Sequence, residues 1–90
     1  MVDRFEKITL QAIDEINKLL VQSESESSPL PYYMSQGQLK AIIDELITMN
    51  QTRNAKVFFP YYPKGIADCW DYDDMLGKKL LDILEIYRKL

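Results

Sequence analysis

Ninety residues, 47% apolar and 28% charged, describe one globular domain with too little chain for a second core. The net charge of −3 comes without any run of lysine or arginine, which argues against nucleic-acid binding through a phosphate backbone. There is no histidine and one cysteine, Cys69, so the commonest general base and metal ligand is missing and no internal disulfide can form.

Residues 1–6 have neither the basic nor the apolar region of a secretory signal. No apolar run approaches the roughly 20 residues a membrane span needs. The expectation is a cytoplasmic protein in a reducing compartment.

The first helix is expected over residues 3–21. Phe5, Ile8, Ala12, Ile16 and Leu19 keep to one face at helical spacing, with Ile13 and Leu20 at its edges. Asp3 and Glu6 fit a capping box. Leu10 and Val21 fall on the opposite face. Residues 22–31, QSESESSPLP, read as a linker, because their serines, glutamates and prolines supply turn chemistry and no apolar period. The serines lie near acidic residues that suit phosphorylation, but a solvated loop accounts for them. Tyr32, Tyr33 and Met34 then lead back onto the core.

A second helix is expected over residues 35–51, opened by Ser35 and Gln38 as another capping box. Leu39, Ile42, Ile43, Leu46, Ile47 and Met49 form its apolar stripe, and Lys40, Asp44, Glu45 and Thr48 face water. Residues 57–70 read as an extended aromatic connector. Pro60 and Pro63 bias Phe59 and Tyr62 towards extended backbone and limit any pairing with residues 30–34 to a few bonds.

The last helix is expected over residues 72–89, with Leu76, Leu80, Ile83, Leu84 and Tyr87 inward and Met75, Ile86 and Leu90 at the margins. Aspartates at its start and Arg88 and Lys89 at its end complement the helix dipole. Gly77 costs about 1 kcal/mol relative to Ala inside a helix, so a close approach by the Phe or Tyr cluster is expected there. Leu81, off the stripe, is a candidate exposed contact. The fold class is all-α: a small three- to four-helix bundle with an extended aromatic connector before its last helix.

Chemistry concentrates in the connector. Asp68, Asp71, Asp73 and Asp74 suit a hard cation such as Mg²⁺ or Ca²⁺, but the glycine and closing glutamate of a calcium loop are absent. The competing reading has Asp71 or Asp73 capping the last helix, with no metal bound. Cys69, beside Trp70 in acidic surroundings and without a histidine to activate it, reads as a buried structural thiol. No phosphate loop, nucleophile elbow or paired CxxC occurs. No catalytic residue and no cofactor is expected.

Phe58, Phe59, Tyr61, Tyr62, Trp70 and Tyr72 hold six of the ten aromatic rings. Such rings either fill space between helices or anchor an interface, and acidic neighbours suit a basic protein partner. The partner-binding candidates are Tyr61, Tyr62, Trp70, Asp71, Tyr72 and Asp73. A self-associating bundle, a homo-oligomer joined through the aromatic face, is the alternative, and a carboxylate-dependent metal enzyme is a third.

Taken together, Leu39 to Met49, Tyr61-Tyr62-Pro63-Lys64, Asp68 to Asp74 and Gly77 to Arg88 resemble the small immunity proteins that neutralise nuclease colicins and pyocins. Phe58 stands where that family places an acidic residue, and the acidic segment is longer. The resemblance implies a helical bundle with Tyr61 and Tyr62 as anchors on a basic nuclease. It also implies Asp44 and Glu45 as specificity residues on the second helix.

Overall fold

The computed structural model describes residues 3–24 and 30–90, which form four helices and, among those residues, no strand. They are α1 (Arg4–Ser23), α2 (Gln36–Thr52), α3 (Tyr62–Cys69) and α4 (Met75–Arg88). α1 packs on both α2 and α4, and the short α3 bridges α2 and α4. The architecture is therefore an all-α bundle, as expected, with a fourth helix inside the connector. Among the described residues no helix is long and apolar enough to cross a membrane.

The long helices follow their apolar spacing. Phe5, Ala12 and Ile16 of α1 meet Leu39, Ile42, Leu46 and Met49 of α2 and Leu80, Ile83 and Tyr87 of α4 in one buried cluster. Ile47 departs from the expected stripe and is exposed. At 100° beyond Leu46 it lies off a seam that advances by three and four residues. Thr9 is an unforeseen core residue. Its hydroxyl can donate to the Phe5 or Glu6 carbonyl, 3.1 and 2.9 Å away, so a polar side chain is buried with its hydrogen bond made. The same oxygen accepts from the Asn50 amide.

Helix starts are capped as their residues predict. The Glu6 N–H donates to Asp3 at 2.8 Å, and the Gln38 N–H donates to Ser35 at 3.1 Å. α2 ends on Arg53, whose φ of 52° is the only left-handed non-glycine conformation among the described residues. Its guanidinium pairs with Asp3 and lies 5.6 Å from the centre of the Phe5 ring, which stacks on Tyr87 at 5.8 Å. One side chain thus ties the end of α2 to the start of α1.

Three boundaries differ from expectation. Gln22 and Ser23 belong to α1, and Ser23 accepts from the Gln36 amide at 3.1 Å. The serines at 25, 27 and 28 lie outside the described residues. Residues 57–70 are not extended throughout: Val57 and Phe58 donate to the Asn54 carbonyl in a turn, and α3 follows from Tyr62. Proline in a first helical turn removes an N–H that has no intrahelical partner, so Pro63 permits the helix despite its bias on Tyr62. Residues 30–34 make their own turn, Met34 donating to the Pro31 carbonyl at 2.9 Å, and among the described residues they form no strand ladder with the connector. Finally, α4 starts at Met75 rather than near 72, because the capping carboxylate is Asp74 and not Asp71 or Asp73.

Candidate partner-binding face around α3

Eight residues are too few to hold a helix by propensity alone, so α3 depends on its surroundings. Its inward positions are Tyr62 and Ile66, four apart, with Trp70 four further on. At its start, Glu45 of α2 reaches across and accepts from the backbone N–H of Tyr61 at 2.8 Å and of Tyr62 at 3.0 Å. A side chain from another helix thereby does the work of a local cap. Burial of that carboxyl pushes its pKa up, and the two N–H donors oppose the shift.

Inside the bundle, the Tyr62 hydroxyl donates to the Leu80 carbonyl at 2.8 Å. Burial raises its pKa, with the Glu45 charge adding to the rise. At the far end, the Trp70 indole donates to the Gln38 amide oxygen at 3.1 Å. Gln38 therefore turns to the tryptophan instead of closing its capping box. Tyr33 lies 6.1 Å from Trp70 between ring centres and donates from its hydroxyl to Asp74 at 2.6 Å. That bond to a carboxylate, aided by burial, pushes the Tyr33 pKa up to about 12. Asp74 meanwhile caps α4 by accepting from the Gly77 N–H at 2.9 Å. A Cβ at Gly77 would stand 3.2 Å from the Trp70 ring, so the expected close approach is real, and the ring is the tryptophan.

These contacts divide the candidate residues. Tyr62 and Trp70 are only 4% and 7% exposed. They are core residues and not surface anchors, because their ring edges carry hydrogen bonds that fix α3 from within. Glu45, read as facing water, supports the helix. Tyr61 and Tyr72, by contrast, are 84% and 92% exposed and stand just before and just beyond α3. Asp44, Asp71 and Asp73 are exposed as well. Asp71 accepts from the Asp73 N–H at 3.0 Å, which folds the loop that presents Tyr72.

Other expectations change with the helix. Cys69 is exposed rather than buried, since the inward stripe of α3 runs through Ile66 and Trp70 and leaves position 69 outside. Leu81 is half-buried and packs on the core, so only part of its side chain is open to solvent. Tyr33 returns to the core as expected, while Tyr32 is 96% exposed. Among the described residues, no group of three His, Cys, Asp or Glu side chains is placed to hold a metal ion.

The face has a consistent sign. Residues 61–74 carry four aspartates against one lysine, which equals the net charge of the whole chain, −3. Beside it lies a cleft of about 520 Å³ between the C-terminal half of α3 and the start of α4. Ile66, Trp70, Gly77 and Leu81 are among its apolar lining, and Asp71 and Tyr72 line it too. Gln38 and Tyr33, which hold Trp70 in place, carry no local signal of that role, because each bond spans 32 residues or more of chain. In comparisons with protein-family models, curated proteins and solved structures, nothing matches this chain.

Proposed function

We propose that the chain is a protein-binding module, not an enzyme, and that it takes a basic protein partner on the acidic face around α3. The observation that carries this reading is the pair Tyr61 and Tyr72. Both rings stand almost wholly in solvent on either side of a helix fixed by hydrogen bonds that it donates to α2 and α4. Tyrosines on a rigid support lose little freedom when a partner covers them, which is how hot-spot residues gain their effect. Asp71 and Asp73, with Asp44 on α2, supply the charge that steers a basic surface and rejects acidic ones.

The most specific form of this reading is an immunity-type inhibitor that occludes a basic nuclease toxin, and the resemblance at Tyr61-Tyr62-Pro63-Lys64 supports it. In that form Tyr61 makes contact and Tyr62 positions it. The setting that goes with it is a reducing cytoplasm, where an exposed thiol such as Cys69 persists.

Capture from the native host with the immobilised protein, followed by the Tyr61→Ala/Tyr72→Ala double variant, tests the proposal. Loss of a basic partner with unchanged circular dichroism is the expected result. Undiminished capture would defeat it. A mass that rises with concentration, and falls back in the double variant, would put a second copy of the chain in the partner's place.

A further inference from the structure

The cleft beside Tyr72 has a composition that selects a particular side chain. Ile66, Trp70, Gly77 and Leu81 line its apolar part, and Tyr72 and Asp71 line it too. One Asp71 oxygen accepts from the Asp73 N–H, and among the described residues Asp71 is in no ion pair. Asp74 also lines the cleft, but both its oxygens are engaged, by Gly77 and by Tyr33. The volume of about 520 Å³ is well above that of a water-filled crevice and within the roughly 300–1,000 Å³ range of ligand sites.

We propose that this cleft receives an arginine side chain of the basic partner, the aliphatic stem over the apolar part and the guanidinium between the Tyr72 ring and Asp71. Arginine is the match because it alone joins a long apolar stem to a planar cation that both stacks on rings and forks onto a carboxylate. A lysine offers a more strongly hydrated point charge and no plane to stack. Lys78, also in the lining, opposes any cation and sets an upper limit on affinity. The assignment rests on the reading of this face as a protein interface and names the chemistry it recognises.

The test uses the full chain with blocked tripeptides of arginine, lysine or citrulline, followed through the single tryptophan and through amide NMR shifts. The arginine peptide should give a saturable Trp70 response, with shifts grouped at Ile66–Tyr72 and Gly77–Leu81. Citrulline, which keeps the shape and loses the charge, should give none, and lysine should bind several-fold more weakly. Asp71→Asn should weaken the arginine peptide about tenfold, Tyr72→Ala should weaken it several-fold, and Lys78→Ala should tighten it. Asp14→Asn, on the exposed face of α1 and away from the cleft, should change nothing.

Absence of a saturable response overturns the assignment, as does equal binding of lysine or citrulline. An equal loss with Asp14→Asn would reduce the effect to general attraction and would also overturn it. The two proposals fail separately. A chain that captures a basic partner through Tyr61 and Tyr72 but ignores the arginine peptide loses the cleft alone. A chain that binds the peptide while its captured partner is indifferent to both tyrosines loses the interface reading.

Discussion

The α1–α2 pair and the region from Asn54 to Asp74 are held together by different means. In the first, burial at regular spacing does most of the work: Ala12, Ile16, Leu39, Leu46 and Met49 are inaccessible, and the caps at Asp3 and Ser35 are local. In the second, single side chains act at long range. Glu45 holds the start of α3, Gln38 holds Trp70, and Tyr33 holds Asp74. Tyr87, buried in α4, places its hydroxyl 2.6 Å from the Phe58 carbonyl and 3.0 Å from that of Asn54. Distributed burial fails cooperatively, whereas a pointwise attachment fails at its point. The candidate interface sits on the second kind of support.

The largest expected effect belongs to the first region. Leu46→Ala removes a fully buried side chain between helices and should cost about 2–5 kcal/mol. The loss should appear as a lower denaturant midpoint with all four helices melting together. Independent melting of α1 and α2 would break the comparison.

Next comes Gly77→Ala. The gain in helix propensity of about 1 kcal/mol is set against overpacking of about 1–3 kcal/mol where the new methyl meets Trp70. A net loss, accompanied by altered Trp70 emission, is expected. A stabilised protein with unchanged emission would mean that the ring yields freely.

Glu45→Ala should cost about 0.5–2 kcal/mol, the range for loss of a helix cap. The change should be local: amide exchange at Tyr61 and Tyr62 speeds up while the α1 core amides keep their protection. Uniform exchange throughout the chain would place Glu45 in the cooperative core instead.

The smallest effects are those of pH, and the two regions should respond with opposite sign. The hydrogen bond from Arg53, then that from the Glu6 N–H, holds the Asp3 carboxyl below its ordinary 3.8. Its contribution is therefore present above that value and lost as pH falls below it. The Glu45 carboxyl is raised above its ordinary 4.5, so the folded chain takes up that proton first and gains stability as pH falls towards 4.5. At the alkaline end, Tyr33 is raised from 10.0 to about 12, so its contribution holds below pH 10 and is lost between 10 and 12. Unfolding curves across pH for Asp3→Asn, Glu45→Gln and Tyr33→Phe should each flatten the corresponding limb. An unaltered limb would remove that residue from the account.

The same contrast decides what can be read from the chain without coordinates. Spacing of Phe5, Ala12 and Ile16, or of Leu39, Ile42 and Leu46, is a local signal and places three helices near their true positions. Ser35 and Asp3 declare helix starts because their partners are three residues away. α3 carries no such mark. Its start is capped from 16 residues upstream, and its first turn contains a proline that ordinarily reads as extended chain. Tyr61 and Tyr62 are adjacent and chemically alike, yet one ring is in solvent and the other in the core. Only the helical phase set by Ile66 and Trp70 separates them. Asp44 and Glu45 divide in the same way, one facing outward and one reaching under α3.

The lone thiol of Cys69 projects from the last turn of α3, a few residues before Tyr72. In air, two molecules can be joined there into a covalent pair whose acidic faces are forced side by side. Such a pair would register as a doubled mass while hiding the surface under test. Sizing and capture experiments therefore belong in reductant or with Cys69→Ser, and the same sulfur offers a place to attach a spectroscopic label at the edge of the face.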